Sequence, residues 1–138
     1  MLLKHVGLTC SSEGKADKFY RDLLGLKKSE PKTLTSDLSK AIFNLDAELQ
    51  LINYLDENIH FEIFISDQIN ITPNPIDHQC LEVDDLAGFI EKCRSIEVEV
   101  ARIPKGDKTL TFIKDFDGNL FEILRCPLMK EHSASCDS

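Results

Sequence analysis

The sequence predicts an α+β fold in which the order strand, helix and three strands occurs twice. Three observations support this prediction. The segments "HVGLTC" and "HQCLEV" each open with a histidine at strand-like alternation and lead into a helix-initiating cluster. Each half also closes on a hairpin signature, and "ITPNPIDH", with two prolines, separates the halves. An internal repeat of this size restricts the fold more than a single motif does.

Length and charge limit the number of domains and the binding partners that the chain can have. The chain has 138 residues, which suits one domain, and its hydrophobic fraction of 42% suits a globular fold. The net charge of −8, without a basic stripe, argues against nucleic acid and anionic membrane as partners. The N-terminus is too short and too polar for a secretory signal, and no stretch approaches a membrane span. We therefore expect a cytoplasmic protein.

The first module begins with a half-buried strand over residues 3–10. Val6, Leu8 and Cys10 share one side, whereas His5 and Gly7 lie on the other. Ser11 or Ser12 can cap the helix that follows, and Gly25 can end it. That helix carries an apolar stripe at core-packing spacing, made of Ala16, Phe19, Tyr20, Leu23 and Leu24.

An insert, "TLTSDLSKAIFNLD", precedes the first hairpin. Ser36 can cap a short helix there, with Leu38, Ile42 and Phe43 expected to face inward. The hairpin then pairs "ELQLINYL" with "IHFEIFIS" across the turn "DEN".

The second module repeats the plan without the insert. "HQCLEV" is a strand, Asp84 and Asp85 are caps, and the next helix buries the face of Leu86, Phe89, Ile90 and Cys93. "EVEVARI" is extended, and Asp117-Gly118 is the turn of the last hairpin. We expect a single domain over residues 1–128, with modules at about 1–72 and 76–126, and a disordered tail over 129–138.

Strand alternation assigns two histidines and two glutamates to the helix-free side of their strands. They are His5, Glu62, His78 and Glu122. A carboxylate on a strand is costly to bury alone, and a divalent cation removes that cost. Mixed imidazole and carboxylate ligands suit zinc, nickel, manganese or iron. His60, on the face of Glu62, remains its main competitor as a ligand, and Gln50 is a weaker one.

Three segments resemble the vicinal oxygen chelate superfamily: "HVGLTC…ADKFYRDLLGL", "HQCLEVDDLAGFIEKC" and "FIKDFDGNLFEIL". This superfamily includes glyoxalase I, bleomycin and fosfomycin resistance proteins, methylmalonyl-CoA epimerase and extradiol dioxygenases. The resemblance covers about residues 3 to 125. It implies paired βαβββ modules that form a cup-shaped mixed β-sheet around one metal, held by His5, Glu62, His78 and Glu122.

Two histidines and two glutamates are similar to the ligand set of glyoxalase I. The resemblance implies a lactoylglutathione lyase-like isomerisation or a related proton transfer through a metal-bound enediolate. Glu122, and after it Glu62, would be the catalytic base. The substrate would carry adjacent oxygens or an enolisable carbonyl, the cation would be Zn, Ni or Mn rather than Fe, and the protein would form a homodimer.

The chain departs from bacterial glyoxalase I at two places. Thr9 stands where those proteins carry an arginine that serves glutathione, and no asparagine follows Glu62 in the expected turn. Glutathione is therefore an open question. A non-catalytic binding or resistance protein of the same fold is one alternative, and an iron-dependent extradiol dioxygenase is another.

Overall fold

A computed structural model describes residues 1–67 and 73–127 of the chain. The chain divides into two compact units, Met1–Thr72 and Pro73–Ser138. Among the described residues, no helix has the length and apolar character that crossing a bilayer requires. The expected tail over 129–138 lies outside the described residues.

The first unit contains a mixed five-stranded sheet. The elements are β1 (Val6–Cys10), α1 (Glu13–Ala16, continuing as a π-helix over Asp17–Leu23), β2 (Lys27–Lys28), β3 (Lys32–Leu34), α2 (Ser36–Phe43), β4 (Leu49–Leu55) and β5 (His60–Ile65). The strand order in the sheet is β1-β5-β4-β2, with β3 also paired to β4. β1 and β5 run parallel, and the other pairs run antiparallel.

The second unit contains a mixed four-stranded sheet. The elements are β6 (His78–Val83), α3 (Leu86–Ser95), β7 (Val100–Lys105), β8 (Lys108–Lys114) and β9 (Leu120–Arg125). The strand order in the sheet is β6-β9-β8-β7. The strands that come first and last along the chain, β6 and β9, run parallel, as β1 and β5 do in the first unit. The structure thus confirms the predicted α+β class and the twofold βαβββ plan, to which the first unit adds one short strand and the insert helix α2.

Each unit packs the helix that follows its first strand on one face of its sheet. In the first unit, Ala16, Phe19 and Tyr20 of α1 are fully buried, as the apolar stripe predicts. In the second unit, Ile90 and Cys93 are buried, while Leu86 and Phe89 are only half-buried. The N-caps of these two helices are among the predicted residues. The Ser12 side chain accepts a hydrogen bond from the Lys15 amide at 3.2 Å, and the Asp85 side chain accepts one from the Gly88 amide at 3.0 Å.

The insert helix α2 corrects three expectations. Thr35, not Ser36, is its N-cap, since the Thr35 hydroxyl accepts from the Leu38 amide at 3.3 Å. Its buried residue is Ser39, whereas Leu38, Ile42 and Phe43 are 50%, 60% and 43% exposed. The Phe43 ring meets Phe64 edge-on, so α2 reaches the face of the first sheet that α1 leaves open. Because Glu62 shares that face with Phe64, the side of the strand that carries Glu62 is not helix-free as expected.

Candidate metal-ligand face

The first candidate pair, His5 and Glu62, stands at the parallel strands of the first unit. Phe61 and Ile63 of β5 are buried at 2% and 0% exposure, and alternation then directs Glu62 to the opposite sheet face. His5 immediately precedes β1, whose Val6 is in register with Phe61. The histidine thus comes from the start of one strand and the glutamate from the middle of its neighbour.

The two side chains meet directly. Nε2 of His5 lies 3.1 Å from Oε1 of Glu62, and the side chains are 45% and 22% exposed. Two ligand atoms that each lie about 2.1 Å from one cation, at tetrahedral or octahedral angles, are about 3.0 to 3.4 Å apart. The spacing of this pair therefore fits two positions of a metal's coordination sphere.

His60 and Gln50, the two competitors of Glu62, have different surroundings. The rings of His60 and His5 are 5.6 Å apart between centroids. Nε2 of His60 lies 2.7 Å from Oδ1 of Asn53. Because an amide oxygen can only accept, Nε2 of His60 is the donor of this hydrogen bond. Gln50 pairs with Ile65, so it belongs to the opposite sheet face from Glu62, which pairs with Asn53. The register of β4 thus removes Gln50 from the candidate site.

The second candidate pair, His78 and Glu122, occupies the parallel strands of the second unit. Phe121 and Ile123 are buried at 0% and 2% exposure, so Glu122 faces the opposite side with half-buried Leu120 and Leu124. His78, at the start of β6, is exposed.

A hydrogen bond orients the ring of His78. Its Nδ1 lies 2.8 Å from the carbonyl oxygen of Ile76, and because a carbonyl can only accept, Nδ1 carries the proton. Nε2 then keeps a lone pair. Histidines that bind metals usually donate their second ring N–H in this way. The ring also stands edge-on to Phe112, with centroids 6.2 Å apart.

The two pairs occupy equivalent positions in their units. Glu62 is in register with Gly7, two residues after His5. Glu122 is in register with Cys80, two residues after His78. The repeat seen in the sequence therefore extends to the register of strands that are far apart along the chain.

Cys80 is a residue of this face that the sequence reasoning missed. Cys80 is in register with Glu122. Partial desolvation first, then the negative charges of Glu122 and Glu82, raise the pKa of its thiol. A raised pKa keeps the thiol protonated and a weak nucleophile at neutral pH. Strand alternation, which places Cys80 in phase with His78, was the signal that could have identified it.

Each unit thus carries one imidazole and one carboxylate at equivalent strand positions. Within residues 1–67 and 73–127, no three His, Cys, Asp or Glu side chains form a group that could hold a metal ion. His5 and Glu62 are in contact. The assignment of all four residues to one ion stays a prediction.

Sequence comparison identifies the family. A family model described as the Glyoxalase/Bleomycin resistance protein/Dioxygenase superfamily matches residues 2–123. The chain belongs to this superfamily, which confirms the resemblance to vicinal oxygen chelate proteins. A search of curated proteins gives no significant match.

Solved structures share the fold. A glyoxalase family protein from Enterococcus faecalis is 20% identical, with a TM-score of 0.69, over 88% of this chain and 95% of that one. The fosfomycin resistance protein FosX from Listeria monocytogenes is 16% identical, with a TM-score of 0.66, over 93% and 95%. FosX from Mesorhizobium loti is 13% identical, with a TM-score of 0.62, over 88% of each chain. A mutant of the Listeria protein was solved with Mn(II) and 1S,2S-dihydroxypropylphosphonic acid.

Proposed function

We propose that the protein is a divalent-metal-dependent enzyme of the glyoxalase type, a lyase or isomerase that moves a proton between adjacent carbons of a small substrate. The observation that carries this proposal is the equivalence of the two His–Glu pairs. Duplicated ligands at equivalent registers suit one ion shared by two repeats. Membership of the superfamily supports the class, and the substrate would offer adjacent oxygens or an enolisable carbonyl.

His5, Glu62, His78 and Glu122 would hold the cation. Two imidazoles and two carboxylates suit Zn, Ni or Mn, with Fe a weaker candidate. When bound, such a cation acts as a Lewis acid that stabilises negative charge developing on a substrate oxygen. The spacing of His5 and Glu62 and the protonated Nδ1 of His78 are the two features of this chain that support metal binding.

The glutamates would transfer the proton. Glu122 is the first choice as base, because it stands between Leu120 and Leu124 along its strand and opposite Phe112 on the neighbouring one. Such apolar surroundings limit competition from water. Glu62 is the second choice, since its Oε1 already contacts His5. Two carboxylates of this kind could remove a proton from one carbon and return it to the next.

Thr9 bears on whether glutathione is the co-substrate. This neutral side chain is on the face of His5 and cannot replace a guanidinium as the partner of a carboxylate. We therefore expect other thiols or simple ketols to serve as well as glutathione. The cytoplasmic location and the homodimer also remain predictions, and gel filtration with light scattering would test the homodimer.

Metal analysis of the purified protein is the first experiment. Zinc, nickel or manganese at one ion per protein chain would support isomerase chemistry. Iron would favour an oxygen-dependent ring-cleaving enzyme, and a protein that binds no added cation would favour a non-catalytic binding function. Deuterium uptake from D2O into hemithioacetals, acyl-CoA thioesters and ketols then measures proton transfer. Chelation should abolish uptake, and adding the metal back should restore it.

Matched variants test the ligand set. His5→Ala should lower metal occupancy, because it removes an imidazole donor. His60→Gln should retain the metal, since His60 already bonds Asn53. Full occupancy in His5→Ala would remove His5 from the ligand set. Loss of the metal in His60→Gln would give His60 the position assigned to Glu62, and either result would contradict the assignment.

A further inference from the structure

An apolar cavity lies within the first unit, on the sheet face that carries His5 and Glu62. It has a volume of about 170 Å³ and is lined by Gly7, Thr9, Phe43, Leu45, Leu49 and Phe64, among others. Gly7 is in register with Glu62, and Thr9 with Phe64. Glu62 and Phe64 share one face of β5, and two residues along a strand span roughly 6.6 Å. The side chain of Phe64, which lines the cavity, is therefore separated from Glu62 by about the length of one small functional group.

A strand glycine keeps the cavity open beside the pair. Gly7 has no positive φ, so its backbone does not require glycine. A Cβ at this position would lie 3.4 Å from Cε2 of Phe64, in ordinary contact with the ring. A glycine within a strand often marks the close approach of a ligand or of another backbone. Here the missing side chain leaves space between His5 and Thr9.

The insert helix supplies the opposite wall. α2 is capped at its start by Thr35 and at its end by Asn44, which has a left-handed φ of 58°. This ending places Phe43 against Phe64, with ring centroids 5.2 Å apart at an interplanar angle of 74°. The second unit has no helix between its corresponding described strands, β7 and β8. The wall is thus a property of the first repeat alone.

The lining determines what can occupy the cavity. Thr9 is its one polar side chain among the described residues, and no charged side chain takes part. A cavity of about 150 Å³ lined by aliphatic and aromatic carbon accommodates benzene. A charged group placed here would lose its hydration without gaining a partner.

We infer that the substrate carries an apolar group, of about phenyl or short branched-alkyl size, next to the oxygens that face His5 and Glu62. This inference rests on the proposed function, since the metal would hold those oxygens. Gly7, Phe43 and Phe64 would then be the residues that determine specificity. A substrate with a charged group at this position, such as a phosphonate, would be disfavoured.

Two small chelators of equal charge test the inference. Acetohydroxamate and benzohydroxamate both present two adjacent oxygens but differ in carrying a methyl or a phenyl group. Calorimetric titration of the Mn²⁺-loaded protein should show benzohydroxamate binding at least tenfold more tightly. Gly7→Val should remove most of this preference by filling the cavity, while the metal stoichiometry stays unchanged. Leu38→Ala, an exposed α2 residue outside the lining, is the control and should preserve the preference.

The result that overturns the inference is equal affinity for both chelators, or a preference that survives Gly7→Val. Failure of the proposed function has a different signature: neither Mn²⁺ nor either chelator binds. In that case, NMR titration of the metal-free protein with toluene tests whether the cavity binds an apolar molecule. Shifts of the Leu45 and Leu49 methyl signals that vanish in Gly7→Val would support an apolar subsite, and unmoved signals would refute it.

Discussion

The two units apply one plan with different surroundings for the glutamate. In the first unit Glu62 contacts His5 at 3.1 Å and has Asn53 across the antiparallel pair. In the second unit Glu122 has Phe112 in the position of Asn53, and the ring of His78 stands against that phenylalanine. Equivalent backbone positions thus give one carboxylate a polar neighbourhood and the other an apolar one. Under the proposed function, duplication would supply the metal ligands, and divergence would give the two carboxylates separate roles.

The largest expected effect separates the two glutamates. Glu122→Gln should reduce deuterium exchange by about 100-fold or more, the usual contribution of a general base. Glu62→Gln should cause a smaller loss and chiefly weaken metal binding. Metal content and exchange rate measured on the same samples distinguish the two results. Glu99→Gln is the control. The Glu99 side chain is 71% exposed, and its 3.9 Å ion pair with Lys114 lies at the surface, where such pairs contribute little to stability.

Equal effects in Glu62→Gln and Glu122→Gln would mean that the two units do not differ in role. Exchange that is unchanged in Glu122→Gln would remove this carboxylate from the chemistry.

The hairpin turns provide the second contrast. Asp115 is buried and accepts hydrogen bonds from the amides of Asp117 and Asn119, both at 2.9 Å, and from Nδ2 of Asn119 at 2.7 Å. Asp115→Ala should lower the free energy of unfolding by about 2 to 3 kcal/mol, because buried donors lose a charged acceptor. Urea unfolding followed by circular dichroism measures the change.

The corresponding turn of the first unit is the matched control. Asp56 accepts from the amides of Asn58 and Ile59 at 2.7 and 2.8 Å, but it is exposed. Water can replace its carboxylate, so Asp56→Ala should cost only about 0.5 to 1 kcal/mol. Similar costs for Asp56→Ala and Asp115→Ala would show that burial does not distinguish the turns.

The smallest expected effect concerns acid stability. Burial raises the pKa of Asp17, but hydrogen bonds from Tyr54 at 2.6 Å and Lys28 at 3.0 Å outweigh it, so the pKa lies below its usual value of 3.8. A lowered carboxyl pKa adds stability above the unfolded-state pKa, and that stability is lost as pH falls through the folded-state pKa. The first unit should therefore weaken selectively below about pH 4.

Amide hydrogen exchange at pH 6 and pH 3 tests this expectation. Protection of α1 should fall more than protection of α3, which packs Ile90 and Cys93 instead of a carboxylate. Tyr54→Phe should cost about 1 to 2 kcal/mol at pH 7 and less at pH 3, because protonated Asp17 is a weaker acceptor. An equal cost at both pH values would contradict the role given to Asp17.

Part of the candidate site followed from local pattern alone. Alternation of Phe61, Ile63, Phe121 and Ile123 was enough to direct Glu62 and Glu122 to the opposite face, and the structure buries all four apolar residues. The α1 stripe and the twofold βαβββ order were predicted for the same reason. Helical and strand periodicities are properties of the backbone, so they can be read residue by residue.

Tertiary structure decided the remainder. The register that sets Glu62 opposite Gly7 and Glu122 opposite Cys80 joins strands that are distant along the chain, and alternation does not specify it. The same holds for Gln50, which β4 pairing moves to the other face, and for α2, whose apolar residues stay exposed while Phe43 closes a cavity against Phe64. Periodicity determines which way a side chain points, whereas packing between distant segments determines what it meets.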